Sequence, residues 1–239
     1  MKKIQIMAHW VLGYPTLEES LEVLEQYAET GFEWLEIQIP FSHPTADGFT
    51  ITDANRVAVP NIQGIEQVCK SIALLKQKFP TTKIAIMTYY NKFFGLGDKV
   101  EEQLKTAGVD ALILPDLPFD SREFLQINKS IDVIPVIAPN ISKKRLTQLL
   151  EVDFQYLYMM SNFNITGAEF KLHKDVKSQI ELIRGKNNVK VGIGFGVTSV
   201  SHVKQVLALA DFAIIGSAFF RAFEENELKE YLNQFKGLN

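Results

Sequence analysis

The sequence Trp34-Leu-Glu-Ile-Gln-Ile39 runs directly into Pro40-Phe-Ser-His-Pro-Thr-Ala-Asp-Gly48, so a short apolar strand leads into a loop punctuated by prolines. The two-residue period of a strand puts Trp34, Glu36 and Gln38 on one face and aliphatic side chains on the other. Glu36 near the strand end and Asp47 in the following loop indicate acid–base chemistry. An edge strand with a solvated glutamate and an ordinary loop aspartate gives the same pattern.

The same alternation of short aliphatic runs and longer amphipathic stretches continues along the chain, which favours a parallel sheet joined by helices. The predicted strands are 4–12, 33–39, 83–88, 110–114, 132–137, 154–160, 189–194 and 211–215. The predicted helices are 17–29, 61–79, 98–107, 121–129, 142–150, 169–184, 199–209 and 217–236. Eight such units predict an α/β fold, a (β/α)8 barrel forming a single domain over 1–239, with its active site where the strands end.

Three helix starts carry a capping signature, in which an acceptor side chain precedes a glutamate by three residues. These are Thr16 with Glu19, Asp98 with Glu101, and Asp120 with Glu123. They predict structure and carry no function.

Composition narrows the class of protein. The chain has 239 residues, 46% of them hydrophobic and 22% charged, with a net charge of −3, so we expect neither a nucleic-acid surface nor a membrane span. The lone Cys69 excludes an intrachain disulfide, and the start of the chain lacks the apolar region of a signal peptide. We therefore expect a cytoplasmic protein that binds a small molecule.

Two late strands end in glycine, at Val191-Gly-Ile-Gly-Phe-Gly196 and at Ile214-Ile-Gly-Ser217. In (β/α)8 barrels the loops after strands seven and eight often bind phosphate, because bare backbone amides and a helix N-terminus favour an anion. A dinucleotide fingerprint needs G-x-G-x-x-G, and the first motif is spaced G-x-G-x-G instead. Gly167, after the predicted sixth strand, is a third candidate, although glycines at strand ends also serve as turn or packing residues.

Taken together, the motifs resemble the tryptophan synthase alpha chain family. The matching segments occur in family order and span nearly the whole chain: Glu36 with Pro40-Phe-Ser42 and Ala46-Asp-Gly48, Met87-Thr-Tyr-Tyr-Asn91, Pro115-Asp-Leu-Pro118, Ala138-Pro139, Ile165-Thr-Gly-Ala168, Gly194-Phe-Gly196 and Gly216-Ser217. The resemblance implies a barrel lyase that cleaves indole-3-glycerol phosphate into indole and glyceraldehyde 3-phosphate for tryptophan biosynthesis. It implies no metal and no cofactor, and a beta chain as the usual partner.

The resemblance also implies roles for individual residues. Glu36 is expected to protonate indole C3 and to help deprotonate the glycerol hydroxyl, and Asp47 to hold the indole N–H; two carboxylates in different surroundings can divide such work. The remaining expected residues form the pocket wall and lid (Tyr89, Tyr158, Phe195 and Thr166) and the phosphate site (Gly167, Gly196, Gly216 and Ser217).

The chain departs from the family pattern inside the expected pocket. Gln38 stands where the family ordinarily has glycine and is expected either to hydrogen-bond Glu36 or to fill space that the indole needs. His9 stands where the family tends to place an aromatic ring, so it is expected in the substrate pocket or as a satisfied core histidine.

Further departures lie outside that pocket. His43 replaces an aspartate in the loop that the family presses against its beta chain, so we expect altered coupling to that partner. Asn162 and Asn164 change the predicted lid, Asn164 replacing a glycine. The sequence starts almost at strand one, so the helix that precedes the barrel in the family is expected to be missing.

Three other functions compete. Gln38 and His43 are compatible with a non-catalytic barrel that binds a phosphorylated indole as a regulatory subunit. A sugar-phosphate epimerase needs paired metal ligands that the four histidines do not supply by their spacing. An indole-glycerol-phosphate synthase needs catalytic lysines within strands, whereas Lys83 and Lys190 lie at strand starts.

Overall fold

The fold is an eight-stranded parallel sheet with helices between successive strands. The computed structural model describes residues 3–162, 170–185 and 188–238. Its strands are β1 (Ile4–Val11), β2 (Phe32–Gln38), β3 (Lys83–Met87), β4 (Ala111–Ile113), β5 (Val136–Ile137), β6 (Tyr156–Met160), β7 (Lys190–Gly194) and β8 (Phe212–Ile215). All eight predicted strands are confirmed, each within two residues at its boundaries except the start of β5.

The sheet closes into a (β/α)8 barrel, as predicted. The hydrogen-bonded order is β4-β3-β2-β1-β8-β7-β6-β5, and β1 pairs in parallel with both β2 and β8. A parallel bridge between Leu112 and Val133 joins the two ends of the sheet. The predicted fifth strand is broken at Pro135, which has no N–H to donate to the ladder.

The two faces of each strand pack differently, as the two-residue period predicted. Trp34 points into the barrel interior with Met7, Ala85 and other inward side chains, whereas Leu35 and Ile37 pack outward against the helices. Buried side chains therefore fill the barrel interior, as is usual for this architecture.

The helices are α1 (Leu17–Thr30), α2 (Phe49–Ala58), α3 (Ile65–Lys78), α4 (Tyr90–Phe94), α5 (Val100–Ala107), α6 (Arg122–Ser130), α7 (Lys143–Leu149), α8 (Val176–Arg184), α9 (Val200–Leu207), α10 (Ser217–Glu224) and α11 (Leu228–Asn233), with a 3-10 turn at Val59–Asn61. The sequence did not predict α2 or α4. Both are short extra helices in the loops after β2 and β3.

Two predicted helices in the C-terminal third of the chain, 169–184 and 217–236, need correction. The prediction of one helix over 217–236 is wrong, because the segment forms two helices, α10 and α11. The turn between them contains Asn226, which adopts a left-handed φ of 61°. The prediction of a helix from 169 is also too long, since described residues 170–175 precede the start of α8 at Val176.

One of the three capping predictions holds. Thr16 accepts a hydrogen bond from the backbone N–H of Glu19 at 3.2 Å, as its signature indicated. Asp98 caps nothing, because α5 begins at Val100 after Lys99 without a side-chain cap. Ser121 rather than Asp120 caps α6, and Asp120 instead forms a bidentate pair with Arg145 at 2.8 and 2.9 Å.

A lysine closes the amino end of the barrel. Lys83 Nζ donates to Glu33 Oε1 at 3.0 Å and to Tyr156 Oη at 2.9 Å, and it lies 5.1 Å from the ring centroids of Trp34 and Tyr156. Lys83 lies at a strand start, as predicted. The cluster is therefore at the opposite end of the strands from the loops that follow them. Among the described residues no helix combines the length and apolar character needed to cross a bilayer.

Candidate active site

A cavity opens at the carboxyl end of the barrel, where such folds place their active sites. Its volume is about 610 Å³, a figure that includes open solvent at its mouth. Side chains and backbone from β1, β2, β6, β8 and the loops after β2, β7 and β8 line it: His9, Glu36, Asp47, Tyr158, Phe195, Gly196, Gly216 and Ser217, among others. Most of the predicted site residues thus lie around one space.

Glu36 lies on the cavity wall with a histidine as its direct partner. His9 of β1 is the register neighbour of Glu36 on β2, and its Nδ1 lies 3.2 Å from Glu36 Oε1. Both residues are only 4% exposed. In the described part of the chain, Glu36 Oε2 and His9 Nε2 have no hydrogen-bond partner, so each keeps one polar atom for a ligand.

Asp47 is held from two sides. Gln38 Nε2 donates to Asp47 Oδ2 at 2.9 Å, and the Tyr89 hydroxyl donates to the same oxygen at 3.0 Å. That hydroxyl also accepts a hydrogen bond from the backbone N–H of Ala46 at 2.9 Å. The loop carrying Asp47 is therefore tied to the ends of β2 and β3.

Burial and neighbouring charges shift the pKa values of Asp47 and His9. Burial raises the pKa of Asp47 above its ordinary value, opposed by His9 and by the hydrogen bonds from Gln38 and Tyr89. Burial alone lowers the pKa of His9, but the adjacent Glu36, with smaller contributions from Asp47 and Gln38, outweighs it and raises that pKa. Perturbed, paired groups of this kind in a cleft are typical of acid–base sites.

The aromatic wall depends on a glycine. A Cβ added to Gly194 would lie 2.5 Å from the Tyr158 hydroxyl, so the bare strand makes room for that ring. Burial, followed by the charges of Glu36 and Asp47, keeps the pKa of Tyr158 well above its usual value, so the phenol stays neutral. Phe195 adopts a left-handed φ of 71°, and its carbonyl accepts a 2.6 Å hydrogen bond from Ser161 Oγ.

Glycines and a helix start form another part of the cavity wall, and Gly216 lies beside His9. Gly196 turns with a φ of 77°, and Gly216 precedes α10 without any side-chain cap. The first turn of α10, starting at Ser217, therefore presents backbone N–H groups at the cavity, which suits an anion. By contrast Gly192 is a packing residue, since an added Cβ would lie 2.1 Å from the Phe212 ring.

Several predicted residues lie elsewhere than expected. Gln38 and Tyr89 are buried behind Asp47 and are absent from the cavity lining, because both side chains are used to hold that aspartate. The hydrogen bond that Gln38 makes is to Asp47 rather than to Glu36. Thr166, Gly167 and Asn164 lie outside the described residues. Asn162 is described: it is buried, and its Nδ2 donates to the Lys171 carbonyl at 3.3 Å.

Sequence reasoning missed the apolar part of the lining. Ile51, Ile113, Val136, Val197 and Ile214 contribute apolar surface to the cavity. Inward parity along the strands identifies three of these positions, but Ile51 lies on the unpredicted helix α2.

The family described as "Tryptophan synthase alpha chain" matches residues 1–237. The tryptophan synthase alpha chain of Aquifex aeolicus is 32% identical over 238 residues, covering 98% of this chain and 91% of the relative. That of Methanocaldococcus jannaschii is 32% identical over 227 residues, covering 92% and 79%.

Solved structures agree. A structure from Aquifex aeolicus has a TM-score of 0.87 at 29% identity, covering 99% of this chain and 92% of the other. A Pyrococcus furiosus structure, described as showing the mutual activation of the tryptophan synthase a2b2 complex, has a TM-score of 0.84 at 28% identity, covering 100% and 99%.

Proposed function

The chain belongs to the tryptophan synthase alpha chain family, and we propose that it acts as that family's lyase. The reaction cleaves indole-3-glycerol phosphate into indole and glyceraldehyde 3-phosphate. The observation that carries the proposal is one cavity lined by the buried Glu36, by Asp47 and by the glycine turns at Gly196 and Gly216.

The two carboxyl groups divide the proton chemistry. Glu36 delivers a proton to indole C3 and accepts the proton of the glycerol hydroxyl as the carbon–carbon bond breaks, so the reaction is balanced in protons. Asp47 accepts the hydrogen bond of the indole N–H and stabilises the positive charge that develops on the ring nitrogen when C3 is protonated. The free Oε2 of Glu36 is the atom available for the first role.

The phosphate of the substrate binds at the glycine side. Gly196, Gly216 and Ser217 supply backbone N–H groups at a loop and at the start of α10, with no lysine or arginine in the cavity lining of the described residues. Backbone amides at a helix start are sufficient for a phosphate. We also propose that Gly167 joins this site and that Thr166 belongs to a closing lid. Tyr158, Phe195 and the apolar lining residues then enclose the indole.

Indole release from purified protein tests the function. We expect Glu36→Gln to lower kcat by at least about 100-fold, because it removes the group that exchanges the proton, and Asp47→Asn to lower it by about 100-fold. Glu33→Gln, on the same strand at the barrel floor, is the matched control and should keep full turnover. An active Glu36→Gln enzyme would remove the mechanism.

A beta chain is the proposed protein partner, as in the Pyrococcus furiosus a2b2 complex. The rim of the cavity supports this partner, since Phe49 is 85% exposed at the start of α2 and Phe94 is 74% exposed at the end of α4. Exposed aromatic side chains of this kind are enriched in interfaces. His43 lies in the loop between β2 and α2, here called the rim loop, with its Nδ1 2.8 Å from Ser42 Oγ. We propose that His43 weakens the coupling to the beta chain.

Co-purification with a beta chain, followed by indole assays with and without it, tests the partner. We expect weak activation that His43→Asp strengthens, with His173→Asp as the control histidine change away from the rim loop. Full mutual activation by the unchanged protein would contradict the role given to His43. As a biosynthetic enzyme of this family, the chain is proposed to be cytoplasmic and to fold as a single domain.

A further inference from the structure

We infer that His9 is a positioning residue for Glu36: the imidazole holds one carboxylate oxygen so that the other faces the substrate. The inference deepens the proposed function and rests on it. It starts from the register of the barrel, which places His9 on β1 directly beside Glu36 on β2. The contact between His9 Nδ1 and Glu36 Oε1 is 3.2 Å.

The burial of the pair makes this contact matter. Both side chains are nearly inaccessible, and a hydrogen bond to a charged group is stronger where water cannot compete. With Oε1 occupied by His9, the carboxylate of Glu36 has its rotation fixed and only Oε2 remains unpaired in the described chain. A general acid–base needs that fixed direction toward the reacting carbon.

An aromatic contact helps to hold the ring of His9 in place. Phe220 of α10 packs against it, with ring centroids 5.9 Å apart and the planes tilted by 39°. Gln38 lies close enough to contribute to raising the pKa of His9, although neither His9 Nε2 nor Gln38 Oε1 completes a hydrogen bond among the described residues. Since Gln38 also donates to Asp47, the two acids are held by neighbouring polar side chains.

The charged groups around His9 favour its protonated form. Glu36 approaches from β2 and Asp47 from the following loop, whereas Tyr158 on β6 stays neutral and α10 presents the uncharged Phe220. The imidazolium is therefore surrounded by two acids and no other cation that contributes to its titration. His9 neither gains nor loses a proton over the reaction, because Glu36 gives a proton to indole C3 and receives one from the glycerol hydroxyl.

Two substitutions separate positioning from packing. His9→Phe keeps a ring against Phe220 and removes the donor, so we expect kcat to fall by about 10- to 100-fold, the loss of one hydrogen bond to a charged group, with KM changed by less than about threefold. His9→Asn restores an uncharged donor at the Nδ1 position and should recover part of kcat. The pH profile should lose its alkaline limb in His9→Asn, because the wild-type donor weakens as the imidazolium deprotonates.

Nitrogen-15 NMR of the four histidines adds a readout that does not need turnover. The His9 titration should move to lower pH in Glu36→Gln. Binding of indole-3-propanol phosphate, which lacks the two glycerol hydroxyls, checks that each variant keeps a folded site.

The outcomes are distinct for the two proposals. Wild-type turnover and an unchanged pH profile in both His9 variants, or a His9 titration indifferent to Glu36→Gln, would overturn the inference and leave the lyase function standing. A wild-type protein that binds the analogue and releases no indole would overturn the function, and the role of His9 in it.

Discussion

The side-chain amide of Gln38 donates a 2.9 Å hydrogen bond to Oδ2 of Asp47, so the last residue of β2 holds the acid of the loop that follows it. Gln38 is fully buried, so water does not compete for this hydrogen bond. Gln38 is therefore used to fix one of the two acids.

Gln38→Met tests this role by keeping the side-chain length and removing the amide. We expect kcat for indole release to fall by about 5- to 30-fold, the effect of about 1–2 kcal/mol from one hydrogen bond to a buried acid. Gln179→Met is the matched control, because Gln179 is a buried glutamine that donates to the Pro139 carbonyl at 2.6 Å. Higher turnover in Gln38→Met would show instead that the amide obstructs the substrate.

Tyr89→Phe removes the hydroxyl that joins Asp47 to the Ala46 backbone. We expect the free energy of unfolding to fall by about 1–2 kcal/mol, because the partly buried N–H of Ala46 and a carboxylate oxygen of Asp47 each lose a partner. Urea denaturation measures the change, and kcat should fall in parallel. Tyr90→Phe, at the neighbouring and less buried tyrosine, should change neither quantity, and equal effects at both positions would contradict the loop-tethering role.

His9 makes stability depend on pH with a definite sign. Its folded-state pKa lies above the ordinary value of 6.5, so its contribution is fully present below about pH 6.5 and is lost as the pH rises through the folded-state pKa. Urea denaturation at a series of pH values should show this loss in wild type and not in His9→Asn. His43→Asn should keep the wild-type dependence, and a stability that rises over the same window would contradict the assignment.

Lys83→Met tests how much the lysine cluster at the amino end of the barrel contributes to stability. The lysine is one-third exposed, which weakens its ion pair with Glu33, so most of the loss comes from the Tyr156 hydrogen bond and the two ring contacts. We expect about 1–2 kcal/mol of destabilisation with kcat for indole release unchanged. Lys190→Met, at the exposed start of β7, should have little effect on either, and abolished turnover in Lys83→Met would favour lysine-dependent chemistry.

Gly194→Ala probes the aromatic wall. The added methyl group would overlap the Tyr158 ring, whose hydroxyl is 2.5 Å from the Cβ position, so Tyr158 must move into the cavity. We expect KM for indole-3-glycerol phosphate to rise by about tenfold or more, equivalent to ~1.4 kcal/mol of lost binding. Gly185→Ala, where the nearest atom is 3.4 Å away, is the control, and an unchanged KM in Gly194→Ala would exclude Tyr158 from the indole pocket.

The amino-acid pattern was sufficient to predict the strands, the closed barrel and the two acids. Strand alternation is a local property, so the inward orientation of Trp34, Glu36 and Gln38 follows from parity. Helix α2 was missed because Phe49–Ala58 is short, directly follows a proline-containing loop and starts after Gly48 with no side-chain cap. The 217–236 segment reads as one amphipathic stretch despite the turn at Asn226.

Which side chains meet across strands could be established only from the folded chain. His9 reaches Glu36, and Gln38 reaches Asp47 rather than Glu36, because strand register and the path of the β2 loop bring these atoms together. Parity gives the face on which a residue lies, but register between strands distant in sequence arises from the packing of the whole barrel. The two acids were therefore located from local sequence and their roles are expected from the family resemblance, whereas the partners that hold the acids depend on non-local contacts.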